Sequence, residues 1–172
     1  DELFTGYYDH FNLQLYSLKD SPYHTKKINE WKKLIRPFIR NPFLKNPDLY
    51  LNNPDFRDHI YLNNLDFEKY LIDDFHEDFI EETYSEDILR NRMMNELFHE
   101  GSRVVLNQDD LNSMMNSIEN RSPYLDSKLA EFAYSIPTHF LISKGYGKFI
   151  LRESVKGILN NKVRLDRQKK GF

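Results

Sequence analysis

Three stretches in the last third of the chain combine residue types that chemistry can use. In Ser113-Met114-Met115-Asn116-Ser117-Ile118-Glu119-Asn120-Arg121-Ser122-Pro123-Tyr124-Leu125-Asp126, helix propensity alone does not demand the pattern. Glu119 and Arg121 suit the orientation of a polar ligand, with Pro123 and Leu125 fixing the turn behind them; a structural ion pair explains the same two residues. In Gly145-Tyr146-Gly147-Lys148-Phe149-Ile150-Leu151-Arg152, two glycines leave backbone room and Lys148 puts a cation at a helix start. That arrangement suits phosphate better than a buried apolar face, although it lacks the full glycine-rich loop and terminal Lys-Ser/Thr of a P-loop. Lys169-Lys170-Gly171-Phe172 offers a further basic contact.

Other chemistries find less support. With no cysteine, thiolate nucleophiles, disulfides and Cys-based metal sites are excluded. His10, His24, His59, His76, His99 and His139 form no His-Glu-x-x-His signature and read as ordinary polar or core residues. Glu96 and His99 share a helix face, as half of a di-iron motif requires, but no second copy supplies the other ligands. The abundant carboxylates allow acid-base pairing at many separations, and the sequence selects no pair.

Helices must position these residues. Leu3, Phe4, Tyr7, Tyr8, Phe11, Leu15 and Leu18 recur at three- and four-residue intervals, predicting a helix over 2–18 with Asp9, Asn12 and Gln14 on other faces. Thr25 is placed to cap a second helix, whose stripe of Ile28, Trp31, Leu34 and Ile35 ends near Pro37. Asn41-Pro42, Asn46-Pro47 and Asn53-Pro54 predict an irregular connector of turns and short helices. From Asp66, the spacing of Phe67, Tyr70, Leu71, Phe75 and Phe79 predicts a helix with an acidic surface. Another starts at Ser85 or Glu86 and is interrupted by Gly101, with Ile88, Leu89, Met93, Leu97 and Phe98 on one side. Shorter helices are expected over 109–118, 127–135 and 148–159, with Pro123, Pro137 and Gly145 turning the chain. Strand alternation is weak and no internal repeat stands out, so the expected fold is mainly helical.

The 172 residues make about one domain, long enough for a core without disulfides or a structural metal. Hydrophobic residues at 40% and charged residues at 30% fit neither a disordered tail nor a membrane protein. The formal charge of -3 conceals two opposed regions. Asp48 to Glu100 carries 15 acidic side chains against 4 basic, and Lys144 to Phe172 carries 9 basic against 2 acidic. Such asymmetry biases where an anionic ligand sits, while a merely solvated surface accounts for it as well. Nucleic acid is not an expected partner, because no zinc-finger spacing, aromatic RNA-recognition pair or basic recognition helix is present. The start Asp1-Glu2-Leu3-Phe4 has no initiator Met and no signal segment, as expected of a truncated or processed chain.

In order along the chain, Asp1-Glu2-Leu3-Phe4-Thr5-Gly6-Tyr7, Ser113-Met114 through Asp126, Lys148-Phe149-Ile150-Leu151-Arg152 and Arg167-Gln168-Lys169-Lys170-Gly171-Phe172 resemble the C-terminal part of the ATP-dependent synthetase domain of the asparagine synthetase family. The resemblance anchors both ends and covers most of the chain; residues 20–100 are less diagnostic. Tyr124 stands where phenylalanine is usual before Leu-Asp, a mild departure, and Leu111 stands where a basic residue often follows the aspartate, which leaves the acyl substrate open.

The resemblance implies that residues 1–172 are a mainly α, multi-helix C-terminal portion of an α/β ATP-pyrophosphatase synthetase domain, the nucleotide-binding sheet lying mostly before residue 1. It implies an adenylate-forming ligase that uses ATP and Mg2+ to convert a carboxylate, typically aspartate, to its amide with ammonia derived from glutamine. Asp1 matches the contact to Mg2+-pyrophosphate, direct or through water, with Glu2 beside it. Lys148 matches the lysine that stabilises the reacting phosphates. Glu119, with Lys148 in the catalytic set, and Arg121 serve the acyl side, while Lys169 and Lys170 join Arg121 and Lys148 around the nucleotide. The chain carries no Ser-Gly-Gly-x-Asp-Ser pyrophosphate loop and no glutaminase cysteine, so it is expected to be inactive alone. Its expected partners are an N-terminal synthetase portion with that loop, a glutaminase domain, a small carboxylate and a second copy of itself; no membrane partner is expected. Its expected location is the bacterial cytoplasm. A related amidotransferase acting on a surface-polysaccharide precursor or another small carboxylate, and a noncatalytic helical interaction module, are the alternatives.

Overall fold

Helix α1, Tyr8–Ser17, lies at the centre of the fold, packed by α2 (His24–Leu34), α3 (Pro47–Asn52) and α4 (Ile88–His99). The computed structural model describes residues 2–57, 68–72 and 80–168. The helix starts later than apolar spacing predicts because Thr5 (φ 68°) and Gly6 (φ 153°) take backbone angles that a right-handed helix cannot pass through. Its burial also corrects the expectation for its polar face. Asp9 and Asn12 are inside, not outside, because each finds a partner: the Asn12 amide donates to Leu44 O at 3.1 Å, and Asp9 lies 3.5 Å from the Arg92 guanidinium.

Around α1, the fully buried Leu13, Tyr50, Leu89, Met93 and Leu141 form the centre of one core. Trp31 and Ile35 bring the apolar side of α2 to it, as the sequence spacing predicts. That helix begins at His24 after Tyr23, without the side-chain cap expected from Thr25. In the connector, Asn41, Asn46 and Asn53 each accept the amide two residues on, at 3.0 to 3.1 Å, so each Asn-Pro pair makes the turn its chemistry favours. Most of the helix expected from Asp66, including Phe67, Phe75 and Phe79, lies outside the described residues; Glu68–Tyr70 is a single 3-10 turn.

Asp87 caps α4 by accepting the Arg90 amide at 3.0 Å. At Glu100 the chain becomes extended, and α5 (Gly101–Met115) follows at once. Gly101 therefore opens a helix as well as closing one, and α5 starts well before the expected residue 109. No residue of α5 is buried. The helix expected over 127–135 is α6, Ser127–Ser135, capped by Asp126 through the Leu129 amide at 3.0 Å. Ser143 and Tyr146 then exchange backbone hydrogen bonds of 3.1 and 2.9 Å across Lys144 (φ 53°) and Gly145 (φ 71°), a tight two-residue turn. Glycine is required at 145 twice over, since an added Cβ would also lie 2.7 Å from Leu34.

Helix α7 (Phe149–Ser154) is shorter than the predicted 148–159 because Gly157 (φ 84°) turns the chain into α8 (Asn161–Arg164). Two isolated bridges are the only extended pairing among the described residues, and the fold is mainly helical without a nucleotide-binding sheet. No helix among the described residues is long and apolar enough to cross a membrane.

Candidate functional site

Buried Leu3, Phe4 and Thr5 pin the N-terminal loop to the core and hold Glu2 at its edge, half-buried. The Glu2 Oε1 atom accepts hydrogen bonds from Ser102 Oγ at 2.7 Å and from the Tyr7 hydroxyl at 3.1 Å. Burial raises the carboxyl pKa, while the hydrogen bonds from Ser102 and from its own backbone lower it. Burial and the neighbouring Glu2, Glu96 and Asp9 carboxylates hold the Tyr7 phenol above its ordinary value, so it remains a donor.

Lys148 reaches the same loop from the other end of the chain. Its amide donates to Thr5 Oγ1 at 3.1 Å, and Thr5 Oγ1 in turn donates to Leu141 O at 3.4 Å. Both residues have φ in the left-handed region, 68° for Thr5 and 54° for Lys148, which costs each a non-glycine strain that the surrounding contacts must hold. Arg152 braces the turn by donating to Gly147 O at 3.0 Å. Burial lowers the Lys148 ammonium pKa and the Arg152 charge lowers it further, while Glu2 and Tyr124 pull in the opposite direction. The cation thus feels the Glu2 anion.

A cavity of about 820 Å3 opens beside this loop, between α1, the end of α4, the start of α5 and residues 121–125. Glu2, Tyr7, Arg92, Glu100, Arg121 and Tyr124 are among its walls. The Phe4 and Tyr124 rings meet edge to face at 6.2 Å, tying the 121–125 segment to the N-terminal loop. Of the sequence-predicted residues, Glu2 and Arg121 line the cavity, and Lys148 is joined through its amide to the same N-terminal loop without lining it. Glu119 is held outside, where its Oε1 accepts from the Arg121 guanidinium at 2.9 Å. Their side chains are 69% and 81% exposed, so this pair is largely solvated. Asp1, Lys169 and Lys170 lie outside the described residues.

Sequence reasoning missed the charge cluster that runs from the cavity wall into the core. The fully buried His10 Nε2 lies 2.8 Å from Glu96 Oε2, and Arg92 Nε lies 3.3 Å from Glu96 and 3.5 Å from Asp9. Arg92 also bonds Glu81 at 2.9 Å and Glu100 through both terminal nitrogens, and Glu81 clasps Arg57 at 2.7 and 2.8 Å. Burial drives the His10 pKa down, but Glu96 and Asp9 outweigh it and the opposing Arg92 charge, leaving the imidazole above its ordinary value. Asp9, His10 and Glu96 could each offer a metal one ligand atom within 4.8 Å of the others. The Arg92 guanidinium already supplies the compensating charge there, so the group is an ion cluster. Glu96 accordingly pairs with His10, not with His99 on its own helix, whose Nε2 lies 2.6 Å from the Tyr84 hydroxyl. The one local signal was Arg92 with Glu96 and Glu100 at four-residue steps.

A family model described as asparagine synthase matches residues 1–172. Asparagine synthetase [glutamine-hydrolyzing] 1 of Bacillus subtilis (strain 168) is 37% identical over 68 residues, a stretch covering 40% of this chain and 11% of that protein. No solved structure matches.

Proposed function

Because this chain belongs to the asparagine synthase family, we propose that it is the helical C-terminal portion of the synthetase domain of an ATP-dependent, amide-forming ligase. In the proposed reaction a carboxylate oxygen of the acyl substrate, the side chain of aspartate in the simplest case, attacks the α-phosphorus of ATP. The bond to pyrophosphate breaks and an acyl-adenylate forms. Ammonia derived from glutamine then attacks the acyl carbon, loses a proton and expels AMP.

The observation that carries this reading is the junction of the loop that holds Glu2 with the Lys148 turn from the other end of the chain, closed by the Lys148 amide donating to Thr5 Oγ1 at 3.1 Å. A carboxylate held by two hydroxyl donors on one oxygen is the hard oxygen donor that Mg2+ takes, and an ammonium on the adjoining turn complements phosphate; these residues fit the group. Bound Mg2+ supplies charge neutralisation at the phosphate oxygens. Asp1, by motif match, and Glu2 beside it would hold the ion, directly or through water. Lys148 faces the reacting phosphates, whose negative charge opposes the burial that lowers its pKa and favours its charged form. Arg121, at the cavity wall, and Glu119, bonded to it, orient the acyl substrate. Lys169 and Lys170 close over the nucleotide. An upstream portion with a Ser-Gly-Gly-x-Asp-Ser loop and a glutaminase domain complete the enzyme, so this chain alone does not turn over.

The second reading keeps the same chemistry with a different small carboxylate as acyl substrate; the cavity wall carries Glu2, Asp9, Glu96 and Glu100 against Arg92 and Arg121, and so suits a substrate that turns one carboxylate to it better than one that turns two. The test is to supply the full-length protein with ATP, Mg2+, glutamine or ammonia and a panel of carboxylates, and to measure AMP, pyrophosphate and amide. Coupled AMP and asparagine support the simplest form. AMP release with another carboxylate moves the substrate, and no AMP with any carboxylate sinks the ligase reading.

A further inference from the structure

Two hydroxyls from different helices converge on one oxygen of Glu2. Ser102, in the first turn of α5, donates at 2.7 Å, and Tyr7, the residue before α1, donates at 3.1 Å. Neither side chain caps its helix, since α1 and α5 both begin without a side-chain cap bond. The Ser102 hydroxyl is instead directed across 100 residues of sequence to the carboxylate. Two donors on one oxygen restrict rotation of the carboxylate and fix its position from two sides.

We propose that Ser102 and Tyr7 are positioning residues that hold the Glu2 carboxylate in place for the Mg2+-pyrophosphate group, a role that rests on the reading of Glu2 as the metal contact. An unrestrained glutamate pays for this orientation in rotamer entropy each time the group binds; the two hydroxyls meet that cost in advance. Because Ser102 belongs to α5, whatever fixes α5 also fixes Glu2.

The experiment uses the full-length protein, with inorganic pyrophosphate titrated calorimetrically in the presence of Mg2+, alongside steady-state kinetics. Ser102→Ala and Tyr7→Phe each weaken pyrophosphate binding by roughly tenfold, the loss of one charge-assisted hydrogen bond. Ser102→Thr, which keeps the hydroxyl, restores it. The same variants lower kcat without raising KM for the carboxylate. In a Glu2→Gln background, Ser102→Ala has no further effect, because the group it positions is already gone. If Glu2→Gln leaves binding unchanged, Glu2 is not the metal contact and the functional reading itself fails. If Glu2→Gln abolishes binding while Ser102→Ala and Tyr7→Phe match the unmodified protein, the positioning role fails and the reading stands. An undiminished Ser102→Ala effect in the Glu2→Gln background also overturns it, since Ser102 then acts on the fold and not on Glu2.

Discussion

Helices α4 and α5 follow one another with only Glu100 between them, yet they treat charge and apolar surface in opposite ways. Helix α4 buries Arg90, Arg92, Asn95 and Glu96 together with Leu89 and Met93. Helix α5 buries nothing and leaves Val104, Val105, Leu111 and Met114 more than half exposed. The charges of Arg92 and Glu96 are tolerable because this chain supplies their partners, Asp9 and His10 on α1 and Glu81 from the segment before α4. The apolar residues of α5 have no such cover among the described residues, and an exposed apolar face of this kind marks a docking surface. The first helix is finished from within; the second is proposed to be finished by the upstream synthetase portion.

Removing Arg92 tests the first half of that contrast most severely. Arg92→Leu leaves Asp9, Glu81, Glu96 and Glu100 without their shared guanidinium, and breaking one side of a buried ion cluster costs about 3–5 kcal/mol. The denaturation midpoint should fall accordingly, and Arg92→Lys should recover only part because an ammonium cannot reproduce the forked contacts. A loss below about 1 kcal/mol would mean that water already screens the cluster.

A matched pair of truncations compares the helices directly. Met93→Ala, at a fully buried position in α4, should cost about 2–5 kcal/mol in this chain. Met114→Ala, 57% exposed on α5, should stay within about 0.5 kcal/mol. In the full-length protein the second cost should rise toward the first. If Met114→Ala stays silent there too, α5 is a solvent face and the contrast loses its functional meaning.

A smaller effect comes from His10, which faces Glu96 and Asp9, the opposing Arg92 charge and, edge to face at 5.4 Å, the Tyr7 ring. Its folded pKa is raised above the ordinary 6.5, so protonation favours the folded state. That contribution is fully present below about pH 6.5 and disappears as pH rises through the raised folded value. Urea midpoints should therefore decline over that window, and His10→Gln should flatten the decline. A slope that survives the substitution would assign the titration to another group.

The same two helices show what sequence reading can reach. Local signals succeeded where the deciding contact is local: Asp126 caps α6 over the expected residues, and the Asn-Pro pairs turn the connector. They erred where one residue serves two elements, as Gly101 does, or where a positive φ cuts a pattern short, as at Thr5 and Gly157. The motifs pointed to Glu2, Lys148 and Arg121, of which Glu2 and Arg121 line the cavity. Their supports were not legible, because Ser102 and Glu2 are 100 residues apart and His10 and Glu96 are 86 apart, and no periodicity reports such contacts.

The smallest expected effect on stability carries the sharpest functional question. Glu119 and Arg121 form an ion pair as exposed as the α5 face, so Glu119→Gln should shift the denaturation midpoint by less than about 0.5 kcal/mol. A pair that merely decorates the surface predicts equal silence in turnover. A pair that orients the acyl substrate predicts a fall in kcat of roughly a hundredfold in the full-length protein, with stability unchanged. The two measurements on one variant separate the alternatives: stability and turnover both unchanged would return Glu119 to the solvated surface. Turnover lost at constant stability would assign it the proposed role in orienting the acyl substrate.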